Sequence, residues 1–232
     1  MLFFSGSGKS SLLLTLFRLM EIEPNGSIEI DGVDTRALKL GTLRRSLAII
    51  PQDPTLFQGT IRYNLDAMGV SNEADMWTAL ETASPSLAKQ FREDQGLDSQ
   101  ITEGGKNLSQ GQRQLICLAR ALLRKSKILV MDEATSSVDS VTDQAVQQTI
   151  RREFVDKGVT VITVAHRLDT VLGYDNIAVL GAGSVLEYGP PNALLEDQSG
   201  ELRKLVDADL KSKKKGAAKK TPVVANTSRA AA

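Results

Sequence analysis

The sequence predicts an α/β fold, a mostly parallel sheet flanked by helices with a helical subdomain, and three observations carry that expectation. Ile128-Leu129-Val130-Met131 is a continuous apolar run ending in adjacent carboxylates, Asp132 and Glu133, the pattern of a buried strand whose C-terminal end meets solvent. Ser5-Gly6-Ser7-Gly8-Lys9-Ser10-Ser11 runs straight into the apolar stretch Leu12 to Leu19, a glycine-rich turn feeding a helix. Val159 to Ala165 is β-branched and suits a second buried parallel strand.

At 232 residues and 41% hydrophobic content, the chain is long enough for one large domain or two small ones with a real core. Lys+Arg and Asp+Glu balance at 28 each, which removes any global bias toward nucleic acid or anionic membranes, and no specific nucleic-acid partner is expected. The one cysteine, Cys117, excludes an intrachain disulfide, and its apolar helical setting reads as a packed small hydrophobe. No apolar run approaches the ~20 residues that cross a bilayer, and Met1 to Phe4 is too short for a signal peptide. By itself the chain reads as soluble.

In chain order, the first element is most of a phosphate loop. Gly6 and Gly8 leave room for backbone N–H groups to converge on phosphate oxygens, the following helix adds its positive end, Lys9 adds a charge, and Ser10 suits Mg2+. Phe3 stands where the full pattern has its first glycine, and only a few residues precede the turn, where a buried strand is needed. Either the first strands are missing, the favoured reading, or Met1 to Phe4 forms a short strand. A central strand with about five buried side chains represents roughly 7–15 kcal/mol of gross burial, comparable with the net stability of a domain.

Ser27 to Asp31, followed by Gly32, alternates like a half-exposed strand and turn. Leu43 to Ser46 reads as a short helix leading into Leu47-Ala48-Ile49-Ile50, a buried strand stopped by Pro51. Gln52 follows, either an ordinary loop residue or a ligand for Mg2+ or water that senses nucleotide. Thr60 suits the N-cap of a helix over Ile61 to Leu65. From Ser71 to Ser99 the pattern is helical and charged, with Trp77 expected in the core. Glu103 to Asn107 reads as a flexible approach to a helix whose N-terminus is set by Ser109 and Gly111, a second anion-binding element. Arg113 to Arg124 continues that helix with an apolar face of Leu115, Ile116, Leu118, Ala119, Leu122 and Leu123.

At the end of the next strand Asp132 suits Mg2+, while Glu133 points elsewhere and suits polarisation of an attacking water; a solvated turn is the bland alternative. Asp139 to Phe154 is another amphipathic helix. His166, the only histidine, ends the strand that begins at Val159 and suits a γ-phosphate contact.

These motifs, in this order and spacing, resemble the ATP-binding cassette (ABC) ATPases over about Ser5 to Leu205, a P-loop NTPase-type fold. Gly6 to Ser11 resembles the Walker A motif, Gln52 the Q-loop, Leu108-Ser109-Gln110-Gly111-Gln112 the signature, Ile128 to Glu133 Walker B, Ser136 to Asp139 the D-loop, and His166 the switch histidine. Ile50 to Phe57, Asn64-Leu65-Asp66 and Gly104 to Asp139 look most like the second nucleotide-binding domain of multidrug-resistance-associated (subfamily C) exporters; Ala178 to Leu180, Gly183 to Gly189 and Asn192 to Leu195 look like its final strands and helix.

The resemblance implies a domain that binds ATP and Mg2+ and dimerises head to tail with a second nucleotide-binding domain. Ser5, Gly6, Ser7, Gly8, Lys9, Ser10 and Ser11 would hold the phosphates; Ser10, Gln52 and Asp132 would hold Mg2+. Glu133 would be the general base, assisted by His166 and Gln52. Leu108, Ser109, Gln110, Gly111 and Gln112 would reach the partner's ATP, and Ser137, Val138 and Asp139 would form the dimer D-loop. Closure of such a pair drives transport through membrane-spanning domains that this chain does not contain, which implies membrane association at the cytoplasmic face. The domains expected are an ATP-binding core over 1–70, a helical signature subdomain over 71–124, the rest of the core over 125–209, and a disordered lysine-rich tail over 210–232.

The family's adenine-stacking aromatic precedes Walker A and has no counterpart here, so the isolated chain is expected to have little ATPase activity. Six lysines from Lys211 to Lys220 read as a solubilising tail, with weak contact to anionic lipid headgroups as the alternative. Two other functional readings stand beside the exporter module: a truncated, inactive product of such a gene, and a soluble non-transport ABC ATPase. The last lacks a coiled-coil insertion and a duplicated cassette.

Overall fold

A computed structural model describes residues 2–3, 8–132, 140–164 and 172–218. The chain divides into two compact units, Gly8–Ala165 and Met1–Ser7 with His166–Ala232. The elements run β1 (Leu2–Phe3), α1 (Lys9–Leu16), β2 (Glu29–Ile30), β3 (Val33–Asp34), α2 (Leu40–Ser46), β4 (Leu47–Ile50), β5 (Gly59–Thr60), α3 (Ile61–Leu65), α4 (Glu73–Ala83) and α5 (Pro85–Glu93). Then follow β6 (Gln100–Ile101), α6 (Gln110–Arg124), β7 (Ile128–Asp132), α7 (Ser140–Glu153), β8 (Thr160–Val164), β9 (Ile177–Gly181), β10 (Ser184–Gly189), α8 (Pro191–Glu196) and α9 (Glu201–Ala218).

In the Gly8–Ala165 unit, β4, β7 and β8 form a parallel sheet in the order β4-β7-β8. β7 lies between the other two, and Leu129, Val130 and Met131 are buried, as an apolar run in a central strand requires. Pairing runs from Leu47 with Ile128 to Ile50 with Met131 on one side, and from Ile128 with Thr160 to Asp132 with Val164 on the other. Leu47–Ile50 is the buried strand expected, with Leu47, Ala48 and Ile50 buried and Ile49 44% exposed.

The helical stretch after residue 70 is not separate from this unit. α4 and α6 pack together, and Met76, Leu80, Leu87 and Phe91 share one apolar cluster with Ile116 and Leu118 of α6 and Leu129 of β7. Each helix start is chemically marked. Asn72 accepts from the Asp75 amide at 2.8 Å to cap α4; Ser84 accepts from Leu87 at 3.3 Å, with Pro85 at the first position of α5. The predicted cap of α3 is present, Thr60 Oγ1 accepting from the Tyr63 amide at 3.0 Å. Trp77 is partly buried against the core, with the Arg92 guanidinium 4.0 Å from its ring centroid.

The half-exposed strand expected near Ser27 is the hairpin of β2 and β3, closed by Asp31 and Gly32 at φ 52° and 75°, the left-handed pair of a two-residue hairpin turn. The segment Glu103–Asn107, expected to be flexible, is pinned. Asn107 Oδ1 accepts from the Thr102 amide at 3.1 Å, and its Nδ2 donates to the Gln100 carbonyl at 2.9 Å. A side-chain amide bridging its own loop in this way replaces the missing ladder hydrogen bonds.

In the other unit β1 pairs parallel with β9, Leu2 opposite Val179 and Phe3 opposite Leu180, so Leu2–Phe3 forms a two-residue strand, while Met1 and Phe4 lie outside the described residues. β10 returns antiparallel to β9 with an irregularity between Val185 and Glu187. Glu187 then caps α9, its carboxylate accepting from the amides of Glu201 at 2.5 Å and Leu202 at 3.0 Å. Residues 210–218 of the tail expected to be disordered continue α9 to Ala218, and residues 219–232 lie outside the described residues. Lysine and alanine are strong helix formers, and positive charge near a helix C-terminus opposes the macrodipole favourably.

One buried polar junction joins the loop after β4 to α3 and α6. Asn64, 3% exposed, accepts through Oδ1 from the Phe57 amide at 2.9 Å and Arg120 Nη2 at 2.7 Å, and donates through Nδ2 to the carbonyls of Phe57 at 2.8 Å and Thr60 at 3.0 Å. Asn64→Ala would leave several buried groups unpaired and should lower the unfolding free energy by about 3 kcal/mol in urea titrations. A loss within ~0.5 kcal/mol, the range of ordinary surface changes, would contradict this.

Candidate functional site

The first candidate element begins at Gly8, whose φ of 95° is left-handed and whose replacement by any other residue would be strained. It is the N-cap of α1, and no side chain among the described residues caps that end. That first turn carries Lys9 and Ser10 and holds no acidic residue to repel an anion. Ser10 and Ser11 are exposed and Lys9 is half-buried. Ser5, Gly6 and Ser7 lie outside the described residues.

The second element is the carboxyl rim of the β4-β7-β8 sheet. Because the strands are parallel and Ile50 pairs with Met131, Gln52 follows the end of β4 at the same rim where Asp132 ends β7. Gln52 is exposed and Asp132 half-buried. A hydroxyl from Ser10, an amide oxygen from Gln52 and a carboxylate from Asp132 are all hard oxygen donors, the chemistry that suits Mg2+. Only one of them is charged, so this donor set fits an ion that brings anionic phosphates as its other ligands. No group of three or more His, Cys, Asp or Glu side chains among the described residues forms a metal site of its own. Glu133, His166, Ser137, Val138 and Asp139 lie outside the described residues.

The third element is the N-terminus of α6. Ser109 is its N-cap in a reciprocal box: Ser109 Oγ accepts from the Gln112 amide at 3.1 Å, and Gln112 Oε1 accepts from the Ser109 amide at 2.9 Å. Gln112 Nε2 also donates to Gln90 Oε1 on α5 at 2.9 Å. Leu108 is buried in the core cluster, so it anchors the motif from below while Ser109 is exposed and Gln110 to Gln112 are half-buried. Arg113 closes the approach by donating to the Leu108 carbonyl at 2.8 Å.

Two residues on the buried side of α6 were not expected from the sequence. Gln114, 4% exposed, donates through Nε2 to the Pro51 carbonyl at 3.2 Å, directly before Gln52. Arg120 donates to the Thr55 carbonyl at 2.8 Å and the Asn64 carbonyl at 2.5 Å. Both interrupt an otherwise apolar helical face, which was the available signal. Together they fix the backbone on both sides of Gln52 from the helix that begins with Ser109 to Gln112. Nearby, burial pushes the Cys117 thiol up, with Arg120 opposing the shift more weakly, and the thiol is 3% exposed, as expected of a packed residue.

The profile described as ABC transporter matches residues 4–136. ABC transporter C family member 12 of Dictyostelium discoideum is 50% identical over 204 residues, which are 88% of this chain and 15% of that protein. ATP-binding cassette sub-family C member 10 of Mus musculus is 54% identical over 191 residues, 82% of this chain and 12% of that protein. A solved bacterial Atm1-family ABC exporter with ATP bound aligns with a TM-score of 0.79 at 32% identity, covering 97% of this chain and 37% of that one. The chain thus spans 12–15% of the length of these curated relatives.

The environment of Cys117 gives a direct check. In the native protein an aromatic disulfide reagent at pH 8 should modify well under about 0.1 thiol per chain in an hour, rising to about one in urea, because only the exposed thiolate reacts. Rapid native labelling would contradict the packing of α6.

Proposed function

The chain belongs to the ABC transporter family, and on that premise we propose that it is the ATP-binding and ATP-hydrolysing module of an exporter of the C subfamily. The observation that carries this reading is the start of α1, where left-handed Gly8, the N-cap, leads directly into Lys9 and Ser10 with no acidic residue in the first turn. Support comes from the carboxyl rim shared by Gln52 and Asp132. In this reading Ser5 to Ser11 cradle the β- and γ-phosphates with backbone N–H groups, Lys9 neutralises them, and Ser10, Gln52 and Asp132 hold Mg2+. The ion, when bound, supplies charge neutralisation for the phosphates. Glu133 accepts a proton from the attacking water, Gln52 orients that water, and His166 donates a hydrogen bond to the γ-phosphate.

The exposed part of the Leu108 to Gln112 motif supports action on a second nucleotide. Its capping box uses the Gln112 amide and side chain internally, which leaves the amides of Gln110 and Gly111 and the Ser109 hydroxyl proton for an anion presented by a second nucleotide-binding domain. A head-to-tail pair of nucleotide-binding domains meets that need, with Ser137, Val138 and Asp139 at the shared surface. Coupling to transmembrane domains at a cytoplasmic face is part of the same proposal. No helix among the described residues is long and apolar enough to cross a membrane.

Binding of a fluorescent ATP analogue with Mg2+ tests the reading. Lys9→Ala should weaken affinity by about 100-fold, the scale of a lost charge-assisted contact, and Asp132→Asn should abolish the Mg2+ dependence of binding. Glu133→Gln should preserve binding, and steady-state phosphate release by the isolated chain should be low in both proteins; a wild-type rate that Glu133→Gln abolishes would contradict that expectation. Equal affinity of the wild-type and Lys9→Ala proteins would refute the phosphate site.

A further inference from the structure

α1 carries Lys9 and Ser10, yet its own packing is sparse. Of its eight residues only Leu13 and Leu16 are buried, while Leu12 and Leu14 are 42% and 38% exposed. Its firm attachment lies at the opposite end. Arg18, just past the helix, adopts φ 47°, a left-handed conformation usually given to glycine or asparagine at a helix end. Arginine stands there with a side chain that reaches out: Nη1 donates to the carbonyls of Leu38 at 3.1 Å and Thr35 at 3.3 Å.

A second arginine comes back the other way. Arg44 of α2 donates through Nε to the Phe17 carbonyl at 3.1 Å and through Nη2 to the Arg18 carbonyl at 3.0 Å. A planar guanidinium gripping two consecutive carbonyls fixes both the position and the rotation of the chain end, which a lysine, with its point charge, does not. A third arginine then holds Arg44. Arg124, the last residue of α6, donates through Nη2 to the Arg44 carbonyl at 2.8 Å. Both Arg44 and Arg124 lie just before strands β4 and β7, at the amino edge of the sheet and away from Asp132.

We propose that Arg44 is a positioning residue for the phosphate-binding end of α1, and that through Arg124 it ties α1 to α6, the two helices whose N-termini face nucleotide. An α-helix of eight residues is a stiff rod about 12 Å long, so where its C-terminal end is held sets where Lys9 and Ser10 stand. The arginine relay therefore joins the two anion-binding helices at their far ends. Its role in nucleotide binding rests on the reading of Lys9 and Ser10 given above.

Backbone hydrogen exchange and Mg-ATP binding, measured on the same variants, test this. In nucleotide-free Arg44→Met the amides of Leu12 to Leu16 should exchange about tenfold faster, those of β7 should not change, and Arg124→Met should show a smaller increase at the same amides. Arg152→Met, at an exposed ion pair, should change neither. The affinity of Arg44→Met for Mg-ATP should fall by about tenfold, with partial recovery in Arg44→Lys, which keeps the charge without the planar fork. Unchanged exchange in α1 would overturn the anchor. Faster exchange with unchanged affinity would overturn the positioning role and leave Arg44 purely structural. A wild-type protein that binds no Mg-ATP would overturn the phosphate reading and the positioning role with it, while the exchange rates still decide the anchor. Should Arg44→Met fail to fold, Arg124→Met and Arg44→Lys carry the same comparison.

Discussion

The double-sided pairing of β7 is the constraint from which the rest of the larger unit follows. A strand with Leu129, Val130 and Met131 buried must place every backbone N–H and C=O in a ladder, because a buried unpaired amide costs several times what a made hydrogen bond contributes. β4 and β8 satisfy those groups, and once their registers are set a one-residue slip would turn whole rows of side chains to the wrong face. Gln52 and Asp132 thereby arrive at a common rim without any direct contact needed to bring them there.

α6 converts that scaffold into a coupled one. Its apolar face is buried beside β4, its N-terminus presents Ser109 to Gln112, its interior polar groups Gln114 and Arg120 grip the loop of Gln52, and its last residue holds Arg44. One 15-residue helix thus touches, at successive turns, the loop of Gln52 and the chain that leads into β4. A charge-assisted bond from a partly buried arginine to a backbone carbonyl suits this task, since it holds geometry in a way that apolar contacts, being non-directional, do not.

Periodicity made much of this legible in advance. The apolar runs of β4, β7 and β8, the caps Thr60 and Ser109, and the glycine turn at Gly8 are local signals, and the structure has strands, caps and a left-handed glycine at those residues. What stayed hidden depends on distant partners. Nothing local in Asn64 announces that Arg120, 56 residues on, will share its side chain, nor that Arg124 will meet a carbonyl 80 residues earlier. The glycines of Glu103–Asn107 suggest a flexible loop until Asn107 is seen to bridge it, and a lysine run signals charge more plainly than the helix propensity that extends α9 to Ala218. The local turns, caps and strands were legible, while the distant side chains that hold them were not.

That one sheet rim and the start of α1 hold the same Mg-triphosphate is open to direct measurement. With Mn2+ in place of Mg2+ and a non-hydrolysable ATP analogue, nuclear magnetic resonance should show amide signals of Gly8 to Ser11, Gln52 and Asp132 broadened together, since the paramagnetic ion relaxes nuclei within roughly 10 Å of a site whose direct ligands lie at a few Å. Broadening confined to the α1 end, with Gln52 and Asp132 unaffected, would contradict the shared site.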